Sequence, residues 1–147
     1  MEEDLLLVRA SDRTPPDAQD NVSFVEALEH PLAISGRRGV LRRIVEDEAE
    51  RLSRTVKVAF ELYSIAALKA LVVRGDAATI APYNMVAEET RTGLLKGRRI
   101  VRPTLFRTVF IARRTEINNA TYAGIERYID ALIDVYLKAV HPWARRL

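Results

Sequence analysis

The stretch SIAALKALVVRGDAATIAP, from Ser64 to Pro82, constrains this chain more than any other. It reads as a hydroxyl cap, an apolar helix, a glycine stop, a short strand of small residues and a proline. Ser64 offers its side-chain oxygen to the first unpaired N–H groups of the helix, and Gly75 suits the left-handed position past its last turn. AATIA is small and apolar enough for a central parallel strand. A helix and strand joined in this way need neighbours, because neither can bury its apolar side alone.

The preceding residues supply them. LAIS, after Pro31, is a brief apolar strand that runs into SGRRG and then VLRRIVEDEAERL. In that helix Val40, Leu41, Ile44, Val45, Ala49 and Leu52 share one side. The opposite face pairs Arg42 with Glu46, Arg43 with Asp47 and Asp47 with Arg51, which reads as a solvated surface. TVKVAFEL alternates, with Val56, Val58, Phe60 and Leu62 on one face of a strand. The order β-α-β-α-β with short connections predicts a right-handed parallel sheet covered by helices.

On the amino-terminal side, Leu5 to Val8 is a short apolar run bounded by charges and fits a buried strand. SDRTPPDAQDN is turn-rich, and its two prolines exclude helix. SFVEALEHP carries a capping box, Ser23 with Glu26, and ends at Pro31. On the carboxyl side a short helix from Tyr83 to Thr92 stops at Gly93. GRRIVRP and LFRTVFIAR read as extended, the second more clearly. An Asn119-capped helix then runs from about Ala120 to Val140 and is stopped by Pro142.

Composition excludes several classes of function. Among 147 residues there is no cysteine, so no disulfide framework, thiol nucleophile or cysteine metal site is possible, and a cytoplasmic location is expected. The net charge of +3 is too mild to argue for nucleic-acid binding. The amino terminus has acidic residues where a signal peptide has basic ones, so neither secretion nor a membrane is expected. No nucleophile elbow, zinc-protease motif or phosphate loop is present, which argues against an enzyme. His30 and His141 lack a carboxylate at ligand spacing, so no metal or cofactor is expected.

The phrases EDLLLV, VSFVEALEHPLAI, LYSIAALKALVVRGDAATIAP and LFRTVFIARR, in this order and spacing, resemble the effector-binding domain of LysR-type transcriptional regulators. The resemblance spans about Asp4 to Leu137. It implies an α/β fold of the type 2 periplasmic-binding-protein kind, with a small-molecule effector in a cleft between two subdomains. Residues 30–102 would form one complete parallel-sheet subdomain, II. Residues 1–29 and 103–147, the two chain ends, would supply a partial subdomain I. The family's winged helix-turn-helix, linker helix and first βαβ portion have no counterpart here, so the resemblance is to an amino-terminally truncated member. DNA would then be reached only through a helix-turn-helix that this chain lacks. RGDAAT replaces the family's Gly-x-Gly turn.

In an open α/β sheet, ligands bind in the crevice at the carboxyl ends of the strands. SGRRG joins a strand end to a helix start, where free N–H groups favour an anion. Ser35, Gly36 and Arg37 are therefore expected to contact a carboxylate-bearing effector, with Tyr63 and Ser64 at the next helix start and Pro82 and Tyr83 after the third strand. The competing reading makes Ser35 and Ser64 simple caps and leaves the arginines solvated. The basic run Lys96, Arg98, Arg99, Arg102 and Arg107 reads as a solvated edge without direct nucleic-acid contact. Tyr136 and Trp143 present apolar area on and beyond the last helix, which predicts a homo-oligomer. The rival to a ligand sensor is a truncated interaction module that dimerises and binds no small molecule.

Overall fold

The computed structural model describes residues 1–15, 19–110, 112 and 119–146. Pro16 of the turn-rich loop, and Ile111 and Arg113 of the second extended run, lie outside the described residues. The elements are β1 (Glu2–Ala10), β2 (Asn21–Ser23), α1 (Phe24–Leu28), β3 (Leu32–Ser35), α2 (Val40–Arg51), β4 (Val58–Leu62) and α3 (Ile65–Val73). They continue with β5 (Thr79–Pro82), α4 (Tyr83–Arg91), β6 (Leu95–Val101), β7 (Phe106–Thr108), α5 (Asn119–Val140) and β8 (Ala144–Arg145).

The local signals become the expected boundaries. Ser23 Oγ accepts from the Glu26 N–H at 3.1 Å to open α1, and Ser64 Oγ accepts from the Ala67 N–H at 3.3 Å to open α3. Half of the expected capping box is replaced, since the Glu26 carboxylate is taken by Arg98 at 3.0 Å. Gly75 and Gly93 follow α3 and α4 with φ of +80° and +76°, the left-handed region that costs glycine nothing. In the RGDAAT turn Asp76 pairs with Arg74 at 3.1 Å, and Ala77 is buried.

The apolar run of β1 is the spine of the molecule. Leu5 and Leu7 point into one core with Phe24, Leu28, Leu32, Ile34, Val45 and Ile80. Leu6 and Val8 point into the other, with Ala33, Leu68, Val72, Ala81, Val86 and Leu95. α1 and α2 thus cover one face, and α3 and α4 cover the other, a three-layer α/β/α arrangement. A strand buried on both faces loses the period-two pattern, which explains why LLLV is continuous. Phe24 is fully buried, and truncating such a ring to alanine costs about 3–5 kcal/mol.

The pairing is more mixed than the sequence order predicts. β3 and β4 are parallel, and β5 lies beside β3 through a parallel bridge between Leu32 and Ala78. Beyond Ala78, however, β5 pairs antiparallel with β1, Leu5 opposite Pro82. β1 is also antiparallel to β6, β7 and β8. AATIA is therefore central, but parallel on one side only. β4 is an edge strand, so Val58 and Phe60, expected inside, are each 39% exposed.

The extended runs also exchange rank: GRRIVRP gives five residues to the seven-residue β6, whereas LFRTVFIAR contributes, among the described residues, only Phe106–Thr108. Of the basic run, Arg102 is exposed as expected, but Arg98, Arg99 and Arg107 do not form a solvated edge. Arg98 bonds Glu26 and the Gln19 and Asn21 carbonyls. Arg99 lies 3.0 Å from the buried Asp4 carboxylate, and Arg107 pairs with buried Glu3 at 2.5 Å. Acids on the spine strand draw Arg99 and Arg107 inward. α5 spans Asn119–Val140 with Pro142 beyond it; the Asn119 side chain lies outside the described residues.

After α5 the tail folds back. β8 pairs with the start of β1, Arg145 bonds Asp4 at 2.8 Å, and Trp143 packs on Tyr83 with ring centroids 6.2 Å apart. The Arg99 guanidinium sits 5.2 Å from the Trp143 ring centroid. Trp143, expected to await a second chain, is thus partly covered by its own.

Candidate functional site

β3 and β4 run side by side and finish at Ser35 and Leu62, so their outgoing loops open on the same edge. A cavity of about 60 Å³ lies there, walled by Ile34, Leu62, Leu68 and Ile80 and reached by Ser35, Ser64, Thr79 and Arg42. Apolar walls with a few convergent polar groups are the usual make-up of a small-molecule site.

Two glycines shape its rim. A Cβ on Gly36 would come within 2.3 Å of the Tyr63 ring, so that ring lies close against the Gly36 backbone. A Cβ on Gly39 would meet Ser35 Oγ at 2.1 Å, so the hydroxyl sits directly over the residue that caps α2. Gly39 contributes no side-chain cap, which leaves the first N–H groups of α2 without one. Tyr63 keeps its outer face in solvent, 87% exposed, and its hydroxyl donates only a long 3.4 Å bond to Glu61.

Arg42 is the charged group of the wall. Its side chain is 9% exposed; Nε donates to Glu46 at 2.7 Å and Nη1 to Glu61 at 2.6 Å. These two bonds, Glu46 first, raise the guanidinium above its ordinary pKa against the opposing effect of burial. In return the Arg42 bond holds the Glu61 carboxyl below the usual carboxylate value, with a smaller contribution from the charge of Arg37. The expectation of a solvated Arg42 is thus corrected. The pairing with Glu46 is present, but the head group turns inward because Glu61 on β4 waits for it.

Of the residues expected at the site, Ser35, Tyr63 and Ser64 line the cavity. Gly36 is buried beneath Tyr63, and Arg37 is exposed beside the wall rather than in it. Pro82 closes β5 opposite Leu5, and Tyr83 faces Trp143; neither lines the cavity. Thr79 and Ile80 from the same strand, and Met85 from the same helix, stand there instead. Arg42, Thr79 and Met85 were missed. Only Arg42 carried a signal, and its pair four residues on gave that signal a sufficient local explanation.

A family model described as LysR substrate binding domain matches residues 1–133. The chain belongs to this family. It is the family of effector-binding domains of LysR-type transcriptional regulators, with an α/β fold of the type 2 periplasmic-binding-protein kind.

Solved structures agree on that fold. The effector-binding domain of QuiR in complex with shikimate superposes with a TM-score of 0.69 at 17% identity, covering 88% of this chain and 63% of that one. OxyR of Corynebacterium glutamicum, a C206 mutant, gives 0.74 at 22% identity, with coverage of 95% and 43%. The regulatory domain of CcmR from Synechocystis PCC6803, in complex with 2-PG, gives 0.63 at 18% identity, with coverage of 92% and 64%. This LysR substrate binding domain therefore spans 43–64% of the length of these structures. No curated protein gives a significant match to the chain. Among the described residues no helix is long and apolar enough to cross a membrane, and no cluster of His, Asp and Glu is placed to hold a metal.

Proposed function

We propose that this chain is the ligand-sensing module of a LysR-type regulator, and that residues 30–102 hold a small carboxylate-bearing effector at the carboxyl ends of β3 and β4. The observation that carries the reading is the partly enclosed cavity between those ends, where two serines, a threonine and a buried arginine meet on apolar walls. Its volume of about 60 Å³ suits a carboxylate head rather than a whole effector, whose remainder would lie outward against Tyr63. Arg42 spends Nε and Nη1 on Glu46 and Glu61, which leaves Nη2 as its donor to the ligand. The uncapped N–H groups at the start of α2, with Ser35, supply the neutral donors. The module then works by differential affinity: an effector shifts a regulator only as far as it prefers one arrangement over the other.

Thermal shift across a panel of small carboxylic acids, including shikimate, tests this. A ligand of the native state raises the melting point by mass action, and Ser35→Ala with Ser64→Ala should abolish the rise. Acids that leave both proteins unmoved contradict the reading.

One observation favours a second reading, an interaction module. Tyr128, Leu132 and Val135 on α5 are each more than 60% exposed, beside an apolar groove formed with Met1, Ile129, Ile133 and Tyr136. Burial of that face in a homo-oligomer is compatible with ligand sensing. Sedimentation as a monomer at micromolar concentration would remove this support.

A further inference from the structure

The opposite edge of the sheet, where β3 and β5 begin, has a hollow of its own. It measures about 60 Å³ and is lined by Arg9, Arg13, His30, Pro31, and Gly75, Ala77 and Ala78 of the turn before β5. Three separate segments converge there: Arg9 from the end of β1, Arg13 from the short 3₁₀ turn after it, and His30 from the α1–β3 connection. The stem of Arg13 lies over Gly75, since a Cβ on that glycine would be 3.1 Å from both Cγ and Nε of the arginine. A backbone without a side chain thus seats the guanidinium at the rim.

The charge in the hollow is unbalanced. Among the described residues Arg9 has no carboxylate partner, and Arg13 has only its neighbour Asp12, at 4.0 Å with both side chains largely in solvent. The carboxylates nearby are engaged elsewhere, Glu26 with Arg98 at 3.0 Å, Glu29 with Lys57 at 2.9 Å and Asp76 with Arg74 at 3.1 Å. His30 registers the excess. Burial first and then the charge of Arg9 hold its imidazole below the ordinary 6.5; Glu26 opposes them, and Arg98 and Glu29 follow with smaller and opposite effects. Converging cations in a concave, partly desolvated wall form an electrostatic trap for an anion.

We propose that this hollow is an anion site, distinct from the crevice at the carboxyl ends, which takes an oxyanion of phosphate size between Arg9 and Arg13 with His30 as a third donor. Guanidinium N–H groups make short charge-assisted bonds to phosphate oxygens, the imidazole adds a neutral N–H donor, and a hollow this small accepts the anion head while leaving any ester substituent outside. The ligand is therefore either the free ion or a phosphate monoester. Because these residues do not line the crevice, loss of effector binding there would leave this site intact.

The test is a proton NMR titration of the His30 imidazole in the full chain with inorganic phosphate, with His141→Asn used to assign the two histidines. Saturable binding should raise the His30 pKa by about one unit, an effect that potassium chloride at equal ionic strength does not reproduce. Arg9→Ala or Arg13→Ala should weaken the phosphate affinity about tenfold, and Arg9→Lys should weaken it less. Unchanged circular dichroism would show that these variants remain folded. Glycerol 3-phosphate in place of phosphate separates the two sources: binding as tight as the free ion means that the substituent is tolerated outside. A His30 signal that responds to phosphate only as it does to chloride overturns the proposal. So does an Arg9→Ala, Arg13→Ala double variant that binds phosphate as well as the parent.

Discussion

The Arg42 guanidinium lies 2.6 Å from the Glu61 carboxylate, across 19 residues of sequence, and ties α2 to the edge strand β4. Around that contact the rest of the crevice is arranged: among the described residues β4 pairs with no strand but β3, and Tyr63 follows directly from its end.

Removing Arg42 should therefore loosen this edge. Arg42→Ala leaves Glu46 and Glu61 facing each other, but both are partly in solvent and can rehydrate, which lowers the cost below that of a fully buried pair. A loss of about 1–3 kcal/mol in urea unfolding is expected. Arg42→Lys should recover little, because one ammonium cannot hold two carboxylates in the same fork.

The two rim glycines should differ. The three atoms nearest a Cβ on Gly36 all belong to the ring of Tyr63, which is 87% exposed and free to swing out. A Cβ on Gly39 meets Ser35 Oγ at 2.1 Å, Ser35 Cβ at 2.9 Å and the Gly36 carbonyl at 3.1 Å, atoms fixed by β3 and the turn. Gly39→Ala should lower the melting temperature clearly more than Gly36→Ala; the reverse order would show that the Tyr63 ring, not the turn, is the rigid part.

Trp143, the one tryptophan of the chain, should report on the tail. Its stack on Tyr83 and its place beside Arg99 predict that Trp143→Ala costs about 1–3 kcal/mol, the ring being only partly buried. Acrylamide should quench its fluorescence poorly in the folded protein and more strongly in Arg99→Ala.

Acid should act in two stages. The Glu61 and Glu89 carboxyls are held below 4.5, by Arg42 and Lys69 respectively. The unfolded chain takes up these protons first, so the stability they contribute is present above the ordinary carboxylate value and is lost as pH falls through the folded one. His30 is held below 6.5 by burial, so acidification below that point also favours the unfolded chain. The melting temperature should begin to fall below pH 6.5 and fall further below 4.5, and His30→Asn should remove the first stage alone. A parent curve that is level just below pH 6.5 contradicts the role of His30.

What the sequence made legible was what neighbouring residues decide between themselves. Ser23 and Ser64 cap helices because their partners lie three residues on, and Gly75 and Gly93 end helices through their own backbone freedom. The crevice was half legible for the same reason: Ser35, Tyr63 and Ser64 sit at strand ends and helix starts. Arg42 was hidden because its second partner comes from another strand. Asp4 and Glu3 were hidden likewise: EED looks like a solvated terminus until Arg99, Arg107 and Arg145 converge on it from over 90 residues away. The mixed pairing of β5 could not be read from its own residues either, since AATIA suits a parallel or an antiparallel neighbour equally well.

The tail ladder has a mechanical consequence. β8 ends with Arg145 opposite Glu2, and the Met1 amine donates to the Val109 carbonyl at 2.9 Å, so Met1 and the end of β8 lie at the same corner. Tension applied between them would pull the two-residue ladder open like a zipper rather than in shear. Such a pull would peel the Trp143 segment away at low force while the doubly buried β1 and its neighbours were still intact.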